Sequence, residues 1–172
     1  MNPAANQGRE IERRFLIEEF PNLKPFEKLK VTQGYITDPP TVVRLRSAGK
    51  NYFLTIKRGR QADHEEREIT LTKTQFDALW PMTSDRHISK TRYLIPYGEL
   101  TIELDFFHGR HEGLKIAEVE FSSHLAMVAF KAPPWFGKEI TDDIRYANVS
   151  LACPTNIIYS QAKFMDAGHD RR

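Results

Sequence analysis

The chain has 172 residues, 40% of them hydrophobic and 28% charged, with 25 basic and 23 acidic side chains. That balance excludes a disordered chain and a broadly basic nucleic-acid binder, and it suits one domain with a core of ordinary size. The single cysteine, Cys153, excludes an intramolecular disulfide, no apolar run reaches membrane-spanning length, and the opening MNPAANQGRE lacks a signal-peptide core. The expectation is a cytoplasmic protein with no membrane or nucleic-acid partner.

In chain order, strands are expected over residues 9–18, 29–37, 42–47, 51–58, 65–72, 87–96, 100–107 and 115–122, each rich in β-branched or aromatic residues. Turn-forming stretches such as ITDPPT, SAGKN, RGRQADH, PYGE and FHGRHEG separate several of them. TKTQFDALWPM reads as a short helix capped by Thr72 or Thr74, and SSHLAMVAFKAPP as a second, capped by Ser122 or Ser123 and stopped by two prolines. RYANVSLACPTN and IIYSQAKFM look helical in part, interrupted by Pro154. No repeat or linker divides the chain, so one α+β, mainly β, domain is expected over residues 9–165, with loose ends at 1–8 and 166–172.

The strands carry an unusual load. In REIERRFLIE, alternation puts Glu10, Glu12 and Arg14 on one face and Ile11, Phe15 and Ile17 on the other. The same spacing recurs in Arg44 and Arg46, Thr55 and Lys57, Glu66 and Glu68, Lys90 and Arg92, Glu103 and Asp105, and Glu118 and Glu120. For any one strand, a solvated outer face over an apolar core is the simpler explanation. Taken together, the signs are segregated by strand, whereas solubility alone favours mixing them. A closed barrel with a polar bore accommodates both the charged faces and the apolar ones. Arginines suit a polyphosphate because their planar fork grips oxygen pairs. Carboxylates facing a polyanion make sense only with a hard divalent cation, Mg²⁺ or Mn²⁺, between them.

The ordered set EIERR, RLR, TIK, SKTRY, ELD, EVEF and ITDDIRYAN resembles the CYTH family, the triphosphate tunnel metalloenzymes, from about Glu10 to Leu151. The resemblance implies an eight-stranded antiparallel closed β-barrel flanked by helices, holding a triphosphate-containing small molecule. It implies metal ligation by Glu10, Glu12, Asp105, Glu118 and Glu120, and phosphate contacts from Arg14, Arg44, Arg46, Lys57, Lys90 and Arg92. Glu10, Glu12, Arg14 and Lys57 stand as the catalytic set. Glu66, Glu68, Glu103 and the pair Arg145 and Tyr146 are further tunnel residues. The implied activity is metal-dependent hydrolysis of a triphosphate, foremost inorganic tripolyphosphate. Class IV adenylate cyclase, thiamine triphosphatase and a non-catalytic polyphosphate-binding module are the alternatives.

The first motif ends in Arg14, where the family typically has Lys. Arginine keeps the charge but is a poor proton donor near neutral pH, so a phosphate clamp is the favoured role. Asp142 and Ile144 also stand where Gly and Pro are common in the family's closing segment. The six histidines are scattered beside loops; His108 and His111 in HGRH have metal-pair spacing but suit a solvated loop better. PPWFGK reads as helix-end packing in preference to a nucleobase clamp.

Overall fold

The computed structural model describes residues 7–60 and 62–156. Eight strands form, within about two residues of the expected bounds in most cases: β1 (Gln7–Leu16), β2 (Glu27–Tyr35), β3 (Thr41–Ala48), β4 (Asn51–Arg60), β5 (Asp63–Leu71), β6 (His87–Tyr97), β7 (Leu100–Phe107) and β8 (Lys115–Phe121). They close into an antiparallel barrel in the order β1-β5-β4-β3-β2-β6-β7-β8. The expected partial helix over 157–165, the expected loose end at 166–172 and residues 1–6 of the one expected at 1–8 lie outside the described residues; Gln7 and Gly8 begin β1.

β1 is shared between two neighbours. Its first half, Gln7 to Ile11, pairs with β5, and its second half, Ile11 to Leu16, pairs with β8. Where the second half has left β5, the segment at 137–140 takes the vacated side: Leu16 N–H donates to the Lys138 carbonyl and Ile140 N–H to the Arg14 carbonyl.

The helices are short and outside the sheet. α1 (Lys73–Leu79) begins at Thr72, whose hydroxyl accepts from Gln75 N–H while the Gln75 side chain returns a contact to the Thr72 backbone, a capping box. α2 (His124–Ala129) is capped by Ser123, and α3 (Asn148–Ala152) closes the described chain. A 3-10 turn at Trp80–Thr83 lies against β2, where Gly34 leaves room; a Cβ there would meet the Thr83 side chain at 2.8 Å.

Alternation turns the barrel inside out relative to an ordinary globular sheet. The larger apolar cluster, with Ile11, Phe15, Ile102, Leu104, Val119 and Phe121, lies on the outer face. Phe130, Trp135 and Phe136 pack on it, which makes PPWFGK a cover for the sheet. Burying each such side chain stabilises by roughly 1.5–3 kcal/mol. A second cluster uses inward positions at one end: Tyr35, Ile88, Phe107 and Ile116 meet Leu151 and Ala152 of α3. Buried His111 helps to fix that helix, its Nε2 2.7 Å from the Leu151 carbonyl, and so departs from the solvated loop expected, while Gly109 and Arg110 of the same segment are exposed.

Candidate active site

The inward faces enclose a cavity of about 1120 Å³. Barrel order explains the segregation of charge seen in the sequence. The acidic strands β7, β8, β1 and β5 are contiguous, and the basic strands β4, β3 and β6 occupy the remaining arc with β2 among them. Arg44, Arg46 and Lys57 therefore line one side of the cavity and Glu12 and Glu120 another, with Arg92 beside Glu103 and Glu118 where the two arcs join.

Deep in the bore the charges form a closed network. Asp105 accepts from Lys90 Nζ at 2.5 Å and from both Arg92 Nε and Nη2 at 2.7 Å, with no solvent exposure of the Lys90 or Asp105 side chains. Glu118 accepts from Arg92 and from Arg14 Nε, each at 2.9 Å. Arg14 also donates to the Tyr146 carbonyl at 2.9 Å, tying β1 to the segment before α3. Burial opposes charge on Glu118, but Lys90, Arg14 and Arg92 outweigh it and hold its pKa well below the usual range. Burial lowers the Lys90 pKa against the pull of Asp105.

These contacts revise three expectations. Asp105 and Lys90 do not line the cavity: they sit one inward position deeper, beside Phe107 and Ile116, and satisfy each other there. Asp105 is thus a counter-ion for Lys90 and Arg92 and not an accessible metal ligand. Arg145 is outside the bore, 63% exposed, because the 3-10 turn Ile144–Tyr146 points it at its own cap, Asp143. Tyr146 contributes its carbonyl to Arg14 and its ring to the second apolar cluster.

Nearer the surface of the cavity, Glu12 and Glu120 stand opposite each other across β1 and β8. Neither side chain has a hydrogen bond or ion pair among the described residues. Burial and then Glu118 raise the Glu12 pKa; burial and then Glu10 raise that of Glu120. Two facing carboxylates with no direct ion pair and elevated proton affinity are a donor set that fits a hard, oxygen-binding dication. Glu103 is closed off by an ion pair with Arg92.

On the basic arc, Arg46 donates to Glu68 at 2.7 Å, and Thr55 donates to the same oxygen at 2.9 Å. Arg44 reaches Thr55 at 3.1 Å and lies 3.8 Å from both Glu66 and Glu68. Burial and then the Arg44 charge lower the Arg46 pKa.

Two inward residues were not anticipated. Tyr35, bonded to Gln33 at 3.2 Å, has its pKa pushed up to about 12 by burial, with Arg44 opposing. His64 stands 3.0 Å from Glu10 and 3.1 Å from Lys57 Nζ, with Glu66 beside them. Burial disfavours its charge, yet Glu10 and Glu66 dominate and raise its pKa to about 9. Its signal was present in the sequence: His64, Glu66 and Glu68 continue the i, i+2 series by one residue.

Comparison with known proteins follows the same lines. A model of the CYTH domain matches residues 8–150. An inorganic triphosphatase of Nitrosomonas europaea is 45% identical over 147 residues, covering 83% of this chain and 96% of the relative. One from Acetivibrio thermocellus is 34% identical over 148 residues, covering 84% and 93%. Among solved structures, a crystal structure of an inorganic triphosphatase superposes with a TM-score of 0.62 at 43% identity, covering 83% of this chain and 93% of the other.

Proposed function

The chain belongs to the CYTH domain family, and from that premise we propose that it is a divalent-metal-dependent hydrolase of inorganic tripolyphosphate. The observation that carries this reading is one cavity lined by Arg44, Arg46, Lys57 and Arg92 on one arc and by two carboxylates without an ion pair among the described residues, Glu12 and Glu120, on the other. Only a ligand that brings anionic oxygens and a cation together satisfies both arcs.

In this reading Arg44, Arg46, Lys57 and Arg92 take phosphate oxygens, and their fixed positions stabilise charge on the transferred phosphoryl group and the departing diphosphate. Glu12 and Glu120 would hold Mg²⁺ or Mn²⁺, with Glu10 and Glu118 flanking them; a bound dication would neutralise the phosphate chain and polarise the anhydride. Arg14 acts as a positioning residue: its guanidinium fixes Glu118 and the Tyr146 carbonyl at once, a two-sided reach that a lysine ammonium reproduces poorly. The lining also favours an inorganic substrate. Its aromatic members are Tyr35 and Phe121; the first bonds Gln33 in the apolar end and the second packs edge-on against Phe130 at 5.2 Å. Neither offers a free ring face for a nucleobase.

The test is to incubate the protein with tripolyphosphate, ATP and thiamine triphosphate, each with Mg²⁺ and with Mn²⁺. Orthophosphate release fastest from tripolyphosphate is the expected result. Cyclic AMP with diphosphate would replace this reading by a cyclase, and tight binding without turnover by a binding module.

A further inference from the structure

Glu10, His64 and Glu66 converge from β1 and β5, each offering one ligand atom, all within 4.8 Å of one another. The Lys57 ammonium reaches into the same space: it is 3.3 Å from Glu10 and 3.1 Å from His64, and it is ion-paired with the buried Glu66 Oε2, which lies 3.5 Å from His64 Nε2. A cation thus already occupies the centre of two carboxylates and an imidazole. The backbone is shaped for this approach. Gly59, opposite His64, has φ +130°, and a Cβ there would lie 3.0 Å from His64 Cα and 3.1 Å from the Asp63 carbonyl.

We infer that Glu10, His64 and Glu66 form a nitrogen-containing site for a first-row transition-metal dication, separate from the all-oxygen pair Glu12 and Glu120. Mg²⁺ prefers oxygen ligands and gives up its waters reluctantly, whereas Mn²⁺ and the later dications accept imidazole readily. Two carboxylates and one imidazole therefore discriminate against Mg²⁺ by donor chemistry. Two positive charges must yield: the Lys57 ammonium moves aside, and the proton that Glu10 and Glu66 hold on His64 leaves to solvent as the metal takes the ring nitrogen. The Lys57 stem is flexible and 24% of its side chain is open to the cavity, so an incoming dication displaces the ammonium towards the bore. There it is released to a phosphate oxygen, which makes occupancy of this site a condition for the full basic arc.

The inference builds on the reading of the cavity as a metal site, but its test needs no turnover. The protein loaded with Mn²⁺ alone is examined by electron spin-echo envelope modulation. The expected spectrum shows nitrogen coupling from one imidazole, which changes isotope pattern when the histidines carry ¹⁵N and disappears in His64→Gln. The same substitution is expected to weaken Mn²⁺ binding at this site at least about tenfold while altering Mg²⁺ binding by less than about threefold. Absence of nitrogen coupling in the wild type, or its persistence in His64→Gln, overturns the inference. The ¹⁵N-labelled wild type decides the matter if the variant does not fold. Nitrogen coupling without hydrolysis of any triphosphate would remove the proposed function and leave this site standing; hydrolysis without nitrogen coupling would do the reverse.

Discussion

Two groups of carboxylates in the same bore obey the same alternation and end in opposite states. Asp105 and Glu118, deep among β6, β7 and β8, are saturated by Lys90, Arg92 and Arg14. Glu12 and Glu120, paired across β1 and β8 and nearer the surface of the cavity, make no ion pair among the described residues and feel cations only from a distance. The first group is complete without a ligand; the second is stable only because the sheet holds it in place. The lesson is that charge identity does not distinguish scaffold from site. Partner supply at each depth does.

The comparison is broken most severely by Asp105→Asn. It leaves Lys90 and Arg92 buried beside a neutral amide, and removing one partner of a buried pair costs about 3–5 kcal/mol. Urea denaturation is expected to show a loss of that size; a loss below about 1 kcal/mol would mean that the deep network is not scaffold. Glu12→Gln probes the opposite case. Tripolyphosphate turnover should fall at least about 100-fold, near 2.7 kcal/mol of barrier, while the metal-free melting temperature holds or rises because a repelled charge has gone. A clear drop in metal-free stability would place Glu12 with the scaffold.

Arg46→Ala tests the basic arc. With Glu68 still partnered by Thr55, folding should change little, and stabilisation by tripolyphosphate should shrink by about 2 kcal/mol, the range for a charge-assisted contact. An undiminished ligand-induced shift in melting temperature would count against a phosphate role. The smallest effect concerns His111. Burial lowers its pKa, with its bond to Leu151 opposing. The unfolded state therefore binds the extra proton first, and stability from this residue is full above about pH 6.5 and drains away as pH falls through the lowered value. Metal-free unfolding from pH 8 to 5 should show a steeper acid loss in the wild type than in His111→Gln.

Strand positions, helix caps and the inward faces were legible in the sequence because the period-2 signal is strong in each strand, as in Arg44 and Arg46 or Glu118 and Glu120. Depth along the barrel axis was not legible. Alternation assigns Lys90 and Asp105 to the bore but cannot say that they fall beside Phe107, where the interior turns apolar. His64 was obscured because it ends the turn-like RGRQADH, although the alternation with Glu66 and Glu68 includes it. Arg145 was misplaced because its fate is local: Asp143, two residues earlier, captures it outside.

The division of β1 between β5 and β8 makes this strand a clasp. Glu10, in the half paired with β5, faces His64 of that strand, while Glu12, in the half paired with β8, faces Glu120. A dication gripped by either pair fastens one side of the joint. Loading the bore and locking the ring are then a single act, so hydrogen exchange should slow at β1 before it slows at the seam between β3 and β4, which carries no such joint.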